Sequence, residues 1–377
     1  MLYYPLIKYL SICNHFLMLK ISLNYRFRHS QESPLQLQNP LFILLDAIRH
    51  SGSISKAATN LGFSYRHVWG ALKKWELLLG AELVIWEKGK RAQLSTFGEK
   101  LLFAEQRAKA RVLPQLDTLI NEMEREFAFA FDERIHILSL CASHDLALGR
   151  LRDFLAKAAQ IHLNLQFKGS MTSLGALSRN ECILAGFHIC ESTIDSATQK
   201  SLRKLLKPAQ HRLIGFLQRQ QGLMVQASNP KKIQGISDLK RGDVRFINRE
   251  PGSGTRIETE ALLKQNSIPF SVVNGFDRIE TTHLAVAAAV AYNQADVGFG
   301  IKAAAAQFKL DFIPLLKEQY YFACTKQALQ TLAIQEFIVQ LKSKAWHTFI
   351  HDLPGYDTSI TGEILLLTSL SPWNDKK

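Results

Sequence analysis

The stretch SISKAATNLGFSYRHVW, residues 53–69, decides the fold of the N-terminal third of the chain. Its first half carries apolar residues at helical spacing behind Ser53, a residue type that caps helix N-termini. Gly62 then marks a turn, and Ser64 opens a longer helical pattern with an apolar face. A short helix, a tight turn and a longer helix make a helix-turn-helix, whose second helix enters the major groove of DNA by its N-terminal end.

The residues on either side complete a winged unit. A helical pattern over residues 40–50 precedes the stretch, and two short strands are predicted at 82–86 and 91–95 around a basic tip. A Thr96-x-x-Glu99 pattern, which has the form of a capping box, then opens a long amphipathic helix to about residue 126. Pro114 lies inside that helix as a candidate kink. We expect this helix to be a linker and a dimer contact.

Hydroxyls and cations are the predicted DNA contacts. Arg66 can offer paired donors to a guanine edge, whereas Ser64 and Tyr65 suit phosphate. A solvated charged face is the alternative, but the support helix, glycine turn, basic helix and basic tip occur in the order that DNA binding needs. The predicted DNA-binding residues are Ser53, Ser64, Tyr65, Arg66, His67, Lys73, Lys74, Lys88, Lys90 and Arg91.

The composition predicts a globular protein with a polyanionic partner. The 377 residues suit two or three domains, and 47% hydrophobic with 21% charged residues excludes a disordered chain. A net charge of +13 favours nucleic acid or an anionic membrane surface. The five cysteines are scattered and lack CxxC spacing, so we expect neither a disulfide framework nor a zinc site, and a reducing cytoplasm.

The N-terminal residues 1–23 are apolar and aromatic but interrupted by polar residues such as Lys8 and Asn14. The run is too short and too polar for a membrane span, and it fits a signal peptide poorly. We therefore expect no membrane association. Residues 1–17 are interpreted as an over-extended translation start, with Met18 opening the real domain.

Beyond residue 132, short apolar runs alternate with helical patterns, which predicts α/β units around a mostly parallel sheet. The predicted strands are 135–140, 161–167, 183–187, 244–247 and 297–300, and the predicted helices are 145–158, 173–179, 255–266 and 282–292.

Small polar residues cluster where these strands give way to helices. Ligands of open α/β folds bind at the carboxyl ends of strands, and helix N-termini there offer free N–H groups to an anion. The predicted ligand-binding residues are Ser143, His144, Asp145, Ser170, Ser173, His188, Arg249, Ser253, Gly254, Thr255, Arg256, Thr282 and His283.

The run NREPGSGTR, residues 248–256, is the strongest of these junctions. It is similar in chemistry to a phosphate loop, but no Gly-Lys-Ser/Thr follows, so nucleotide hydrolysis is not supported. Each serine or threonine has the alternative role of a helix cap, and each histidine that of a core donor. Arg256 has the alternative of bracing Glu258, Glu260 or Asp296.

The motifs also carry two family resemblances. Residues 18–126 resemble the winged helix-turn-helix of ModE-type regulators, relatives of the LysR class, through IRHSGSISKAA (48–58), LGFSYRHVW (61–69) and LSTFG (94–98). Residues 130–377 resemble the periplasmic-binding-protein-like domain of cytoplasmic regulators and molybdopterin-biosynthesis fusions. The carrying motifs there are ASHDLAL (142–148), AGFH (185–188), REPGSGTR (249–256), THLAVAAAVA (282–291) and ADVGFG (295–300).

The resemblances imply a homodimer or higher homo-oligomer on a two-fold DNA operator. They also imply two α/β lobes that close on an effector, with a hinge near residues 215–227. The expected domains are an N-terminal extension (1–34), a winged helix-turn-helix with linker helix (35–127) and a periplasmic-binding-protein-like sensor (130–377).

The leading functional hypothesis is a cytoplasmic transcriptional regulator that senses molybdate, tungstate or a molybdenum-cofactor-related metabolite. The alternatives are a LysR-like regulator that senses a small organic acid, and a cytoplasmic ligand-binding protein without DNA activity. Hydroxyls such as Ser143 and Ser253 suit a tetrahedral oxyanion, whereas the histidines suit a more elaborate ligand. We expect no resident cofactor, no metal and no enzymatic activity, because the consecutive residues Ser143, His144 and Asp145 cannot form a catalytic relay.

Overall fold

A computed structural model of the chain describes residues 39–86, 91–131, 136–158, 161–190, 192–370 and Trp373. They fall into two units, the first ending at Leu102 and the second beginning at Phe103. The interpreted extension 1–34, with Met18, lies outside the described residues. No helix among the described ranges is long and apolar enough to cross a bilayer.

The first unit is a three-helix winged fold, as the sequence predicts. Ser53 and Ser64 each cap a helix through a side-chain oxygen, and Gly52 ends the first helix at a φ of 62°. Leu45, Ile48 and Val68 are fully buried in its core. The elements are α1 (Pro40–Ser51), α2 (Ile54–Asn60), α3 (Tyr65–Leu79), β1 (Val84–Ile85) and β2 (Gln93–Leu94).

Glu76 fastens the wing to α3. Its Oε1 accepts hydrogen bonds from the amides of Leu83 and Val84, at 2.9 and 3.4 Å, and its Oε2 accepts one from Lys73 Nζ at 2.7 Å. The first wing strand therefore starts at a fixed distance from α3.

Helix α4 (Thr96–Phe131) runs past the predicted end at residue 126 and crosses from the first unit into the second. Its cap is not the predicted Thr96-x-x-Glu99 box. Because Thr96 is already helical, the preceding Ser95 supplies the capping oxygen and accepts from Gly98 N at 2.9 Å. Glu99 pairs instead with Arg49 at 3.2 Å.

The second unit is built on one ten-stranded sheet with the order β4-β3-β5-β10-β6-β9-β7-β8, and β11 and β12 also pair with β6. The strands are β3 (His136–Ala142), β4 (Ile161–Phe167), β5 (Leu184–Ile189), β6 (His211–Val225), β7 (Phe246–Arg249), β8 (Ile279–Glu280), β9 (Val297–Ile301), β10 (Asp311–Thr325), β11 (Tyr356–Asp357) and β12 (Ile364–Leu365).

Helices cover this sheet in two groups. We call the group with β3, β4 and β5 lobe 1 and the group with β7, β8 and β9 lobe 2. The helices of lobe 1 are α5 (Leu146–Ala158), α6 (Ser170–Ser178), α7 (Ser196–Leu205), α11 (Lys326–Leu329), α12 (Leu332–Lys342) and α13 (Lys344–Ile350). Those of lobe 2 are α8 (Gly254–Gln265), α9 (His283–Ala291) and α10 (Lys302–Gln307).

The two central strands correct the expectation of a mostly parallel sheet. Strands β6 and β10 each have 15 residues, pair antiparallel along their length and belong to both lobes. The parallel pairs lie outside them, within each lobe. The hinge region that the resemblance implies, residues 215–227, falls on β6.

Each lobe has its own core. Trp346, Phe216 and Phe337 are fully buried in lobe 1, and Phe246 and Phe299 in lobe 2.

Candidate DNA-binding face and ligand cleft

Several of the predicted DNA-binding residues lie at the exposed start of α3 and along it, and Ser53 lies at the start of α2. Ser53 and Ser64 are helix caps that accept from Lys56 N at 3.3 Å and His67 N at 3.1 Å. Tyr65, Arg66 and Lys74 are exposed on α3. Their role in DNA binding stays a prediction.

An aromatic row joins α3 to the wing. Tyr65 stacks on Trp69 with centroids 6.1 Å apart, and Trp69 meets Trp86 edge-on at 6.4 Å. Lys73 lies over the Trp69 ring and pairs with Glu76, so this predicted DNA contact already has structural partners. Trp69 and Trp86 are not among the residues predicted from the sequence. Trp69 follows Tyr65 by four residues on the same face of α3, and Trp86 ends the predicted wing strand 82–86, so both positions offered a signal.

The other predicted contacts have different surroundings. His67 stacks on Phe63 at 4.9 Å, and exposed Arg91 packs its aliphatic stem near Gly52. Lys88 and Lys90 lie outside the described residues.

A cleft of about 500 Å³ lies between the lobes of the second unit. Most of the predicted ligand residues line it: Ser143, His144, Ser170, His188, Arg249, Ser253, Gly254, Thr255, Thr282 and His283. Sequence reasoning missed Lys168, Thr172, Arg219 and Glu258, which also line it. Lys168 and Thr172 flank Ser170 at the same strand-to-helix junction, and this position was a usable signal.

Three predicted ligand residues do not line the cleft. Asp145 caps α5 through Ala147 N at 2.7 Å and pairs with buried Arg219. Ser173 is fully buried, with its hydroxyl toward the Lys168 carbonyl at 3.4 Å. Arg256 braces Glu260 at 2.6 Å and the Phe276 carbonyl at 3.1 Å, which is the structural alternative stated above.

Three helices begin in the cleft wall. Gly169 precedes α6 without a side-chain cap, Ser253 caps α8 through Arg256 N at 3.3 Å, and Thr282 caps α9 through Ala285 N at 3.0 Å. The first turn of a helix leaves backbone N–H groups without intrahelical partners and carries the positive end of the helix dipole. Their convergence therefore favours a negatively charged ligand.

Arg249 is a cleft cation that keeps an unpaired donor, although Glu250 Oε1 lies 3.7 Å from its Nη2. Its Nη2 donates to the Thr281 carbonyl at 2.9 Å, while its buried Nε has no hydrogen-bond partner among the described residues. Burial lowers the pKa of Arg249 to about 10, so the guanidinium stays charged at neutral pH. A buried donor left unpaired is costly, and an anion in the cleft would remove that cost.

The cleft histidines are neutral at pH 7. Burial lowers the pKa of His144 to about 4 and lowers those of His188 and His283 as well, with the nearby Arg249 and Arg219 adding to the effect. His283 Nδ1 is buried without a hydrogen-bond partner in the described part of the chain. A neutral imidazole has one donor and one acceptor nitrogen, so it can orient a ligand without adding charge.

Arg219, in contrast, already has its charge paired with protein carboxylates. It pairs with Asp145 and with Glu318, the latter at 2.6 Å. Burial acts to raise the pKa of Glu318, but Arg219 outweighs it and holds that pKa at about 2. Burial and the Glu318 charge together raise the pKa of Glu258 well above its usual range, so Glu258 is a neutral acid.

His188 links two serines to Glu318. Its Nδ1 lies 3.1 Å from Ser143 Oγ and 3.4 Å from Ser170 Oγ, and its Nε2 lies 3.1 Å from Glu318 Oε1. In serine hydrolases the nucleophile meets Nε2 and the carboxylate meets Nδ1, which is the reverse order. The Ser143 hydroxyl is also held by Tyr320 at 3.2 Å. The arrangement therefore suits hydroxyls fixed for ligand binding.

The cleft also has an apolar side. Phe167, Met171, Ile194, Leu202 and Ile257 line it next to the polar groups. A ligand that fills the space would thus meet both charge and hydrocarbon.

Comparison with known proteins places both parts of the chain. Residues 151–342, about half of the chain, match the PBP superfamily domain. The chain belongs to the PBP superfamily. Residues 41–99 match the bacterial regulatory helix-turn-helix proteins of the lysR family. A PBP domain behind a helix-turn-helix of this class makes the protein a ligand-responsive, DNA-binding regulator of the LysR type.

Two uncharacterized relatives match parts of the chain. The chain is 34% identical over 230 residues to uncharacterized protein YvgK of Bacillus subtilis, covering 61% of this chain and 74% of YvgK. It is 35% identical over 98 residues to an uncharacterized protein of Clostridium pasteurianum in the ferredoxin 2Fe-2S gene 5' region, covering 26% of this chain and 86% of the relative.

Comparison with solved structures finds matches of low similarity, among them CbnR, a LysR family transcriptional regulator. Full-length CbnR in complex with its target DNA has a TM-score of 0.39 and 16% identity, and covers 80% of this chain and 96% of CbnR. An H2O2-bound OxyR variant of Corynebacterium glutamicum has a TM-score of 0.42 and 14% identity, and covers 82% of this chain and 93% of OxyR.

Lowering the pH is expected to destabilise the PBP domain through His144. Above the unfolded pKa of about 6.5, both states are neutral and His144 contributes nothing. Between pH 6.5 and about 4, the unfolded state binds a proton that the folded state does not, so stability falls as the pH falls. The expected loss is about 1.4 kcal/mol per pH unit.

Denaturant unfolding of the wild type and His144→Gln at pH 7, 6, 5 and 4 measures this contribution, with exposed His351→Gln as the control. The variant should show the shallower pH dependence. Equal slopes for the wild type and His144→Gln would contradict the assignment of a buried, neutral imidazole.

Proposed function

We propose that the effector is an anionic metabolite larger than a simple oxyanion, with an apolar portion. The observation that carries this proposal is the unpartnered Arg249 Nε in a cleft where α6, α8 and α9 begin. These groups favour an anionic group, as the sequence interpretation expected, and the apolar side favours a hydrocarbon or ring portion.

Cleft size supports the larger ligand. Sites for drug-sized molecules enclose about 300–1,000 Å³, and this cleft encloses about 500 Å³. Molybdate or tungstate alone would engage the helix N-termini and leave Phe167, Met171 and Leu202 without contacts. A small organic acid or a molybdenum-cofactor-related metabolite fits better, and the first of these corresponds to the LysR-like alternative.

The protein would act by binding, not by catalysis. We propose that it binds a two-fold operator as a homodimer, with Arg66 at base edges and Lys74 at phosphate. The exposed positions of both side chains on α3 support these roles.

Arg66→Ala and Lys74→Ala are expected to weaken DNA binding in different ways. Lys74→Ala should weaken binding to all sequences and lower the slope of log K against log salt by about 0.9, because one phosphate contact is lost. Arg66→Ala should cost about 1–3 kcal/mol on the specific site only. Fluorescence anisotropy with the upstream DNA of the chain's own gene and with random DNA measures both.

Exposed Lys157→Ala, in the second unit, is the matched control and should leave both titrations unchanged. If Lys74→Ala had the wild-type salt slope, α3 would not be the helix that meets the DNA backbone.

Arg249→Gln is expected to weaken anion binding. Loss of a charged donor to a ligand anion corresponds to about 1.5–3 kcal/mol, or more than tenfold in Kd. Calorimetry with molybdate, tungstate, sulfate, phosphate and a panel of mono- and dicarboxylic aromatic and aliphatic acids identifies the class, with exposed Arg179→Gln as the control.

The proposal predicts that an organic anion binds at least ten times more tightly than any of the four inorganic ions. Tightest binding by molybdate or tungstate would restore the oxyanion hypothesis, and an Arg249→Gln variant with wild-type affinity would remove Arg249 from the site.

Gly254→Ala is expected to hinder closure of the cleft. A Cβ at residue 254 would clash with His188 Nε2 across the cleft, so the two lobes approach here only because the residue is glycine. Affinity for the tightest ligand of the panel should fall about tenfold or more. Thermal stability should hold, because alanine suits a helix better than glycine does.

The control is Gly149→Ala in α5, where a Cβ meets no atom within 4 Å. Unchanged affinity in Gly254→Ala would show that the lobes do not need this approach to hold ligand.

A further inference from the structure

We propose that the second half of α4 is a functional wall of the ligand cleft, in which Arg107, Ala110 and Arg111 position Thr282 and Arg249. The helix that leaves the DNA-binding unit and the anion site then respond to each other. This inference rests on the proposed anion-binding function of the cleft.

Glu280 is the first contact between α4 and the cleft edge. Arg107 Nε donates to its Oε1, and Arg111 Nε donates to its Oε2 at 2.8 Å. The Glu280 side chain is 1% exposed, whereas the two arginines are about 40% exposed. A buried carboxylate cannot lose its cations without a large cost, while the arginines can turn to water. Glu280 therefore depends on α4 more than α4 depends on Glu280.

The next two residues connect this pair to the ligand groups. The Thr281 carbonyl accepts from Arg249 Nη2 at 2.9 Å, and the Thr282 hydroxyl donates to the Ala110 carbonyl at 3.0 Å. The same hydroxyl caps α9 by accepting from Ala285 N at 3.0 Å. Glu280 thus contacts α4, Thr281 contacts Arg249, and Thr282 contacts both α4 and α9.

Pro114 explains why the Ala110 carbonyl is available. In an α-helix the carbonyl of residue 110 would accept from the amide of residue 114, but proline has no N–H. The carbonyl that Pro114 leaves free is taken by Thr282 instead. Pro114 itself lines the cleft. The sequence predicts Pro114 only as a candidate kink. In the structure it frees the Ala110 carbonyl for Thr282, which lies 172 residues further along the chain.

Ala110 also fits the packing. It is 4% exposed and belongs to the core that α9 and α10 form, and Phe103 and Tyr292 pack together at 5.6 Å on the same side. A larger side chain at residue 110 would push α4 away from Thr282. The contact between α4 and the cleft edge therefore depends on three features: the small side chain of Ala110, its carbonyl left free by Pro114, and the ion pairs of buried Glu280.

Ligand binding and helix position are linked by these contacts. An anion bound to Arg249 and to the N-terminus of α9 would act on residues 281 and 282, and α4 holds this segment through Glu280 and Thr282. A change at one place alters the free energy at the other, and such coupling acts equally in both directions.

Amide hydrogen exchange of the full chain, without ligand, tests this link. Pro114→Ala restores an N–H that competes with Thr282 for the Ala110 carbonyl. We expect exchange in residues 281–286 to become about tenfold faster, while exchange in residues 104–114 slows or stays the same, because the helix gains a bond. A general loss of stability would instead make amide exchange faster in both segments.

Glu280→Gln gives a second, independent variant. It should speed exchange about tenfold in both 104–114 and 281–286. The double variant Arg107→Lys/Arg111→Lys, with Glu280 intact, keeps the charges. Its exchange should stay within about threefold of the wild type. Exposed Glu181→Gln, whose partner is Arg179, is the matched control for loss of an ion pair.

If Pro114→Ala and Glu280→Gln left exchange in 281–286 at the wild-type rate, the proposal would be overturned. Sulfate is the anion probe in a second arm. It should slow exchange in both segments of the wild type, and in Pro114→Ala it should slow only 281–286. Absence of any sulfate effect on the wild type would count against the anion site itself, while the ligand-free comparison still decides the role of α4.

Discussion

The Arg219 ion pairs are the constraint on which the second unit depends. Arg219 lies on β6 opposite Glu318 on β10, where the two strands shared by both lobes pair in register. Asp145, at the start of α5 in lobe 1, completes the cluster. Since the cluster is buried, separating Arg219 from its carboxylates would leave charges without a partner. The floor of the cleft is therefore fixed.

This fixed floor determines what remains for a ligand. Arg219 has no charge to spare, Glu258 is neutral beside Glu318, and the histidines are neutral. Positive potential in the cleft then comes from Arg249, Lys168 and the starts of α6, α8 and α9. The same residues that make the cleft selective for an anion also connect it, through Thr281 and Thr282, to the helix that begins in the DNA-binding unit.

The sequence predicted the features that local patterns encode. The strand at residues 161–167 has the predicted bounds, and Ser53 and Ser64 are helix caps as the sequence pattern indicated. Strands β6 and β10 were missed because polar residues such as Gln218, Arg219 and Gln220 interrupt the apolar runs. Arg219 can be buried only with partners such as Glu318, which lies 99 residues away along the chain. The role of Pro114 likewise needs Thr282, which no local pattern connects to α4.

The anion site can be tested by a crystal structure of the full chain from a screen of organic acids and inorganic oxyanions. We expect ligand density between Arg249 and the N-terminus of α9, with an anionic group within hydrogen-bond distance of Arg249 Nε and the remainder against Phe167 and Met171. Density for a bound ligand elsewhere, or a cleft ligand that leaves Arg249 Nε without a partner, would contradict it.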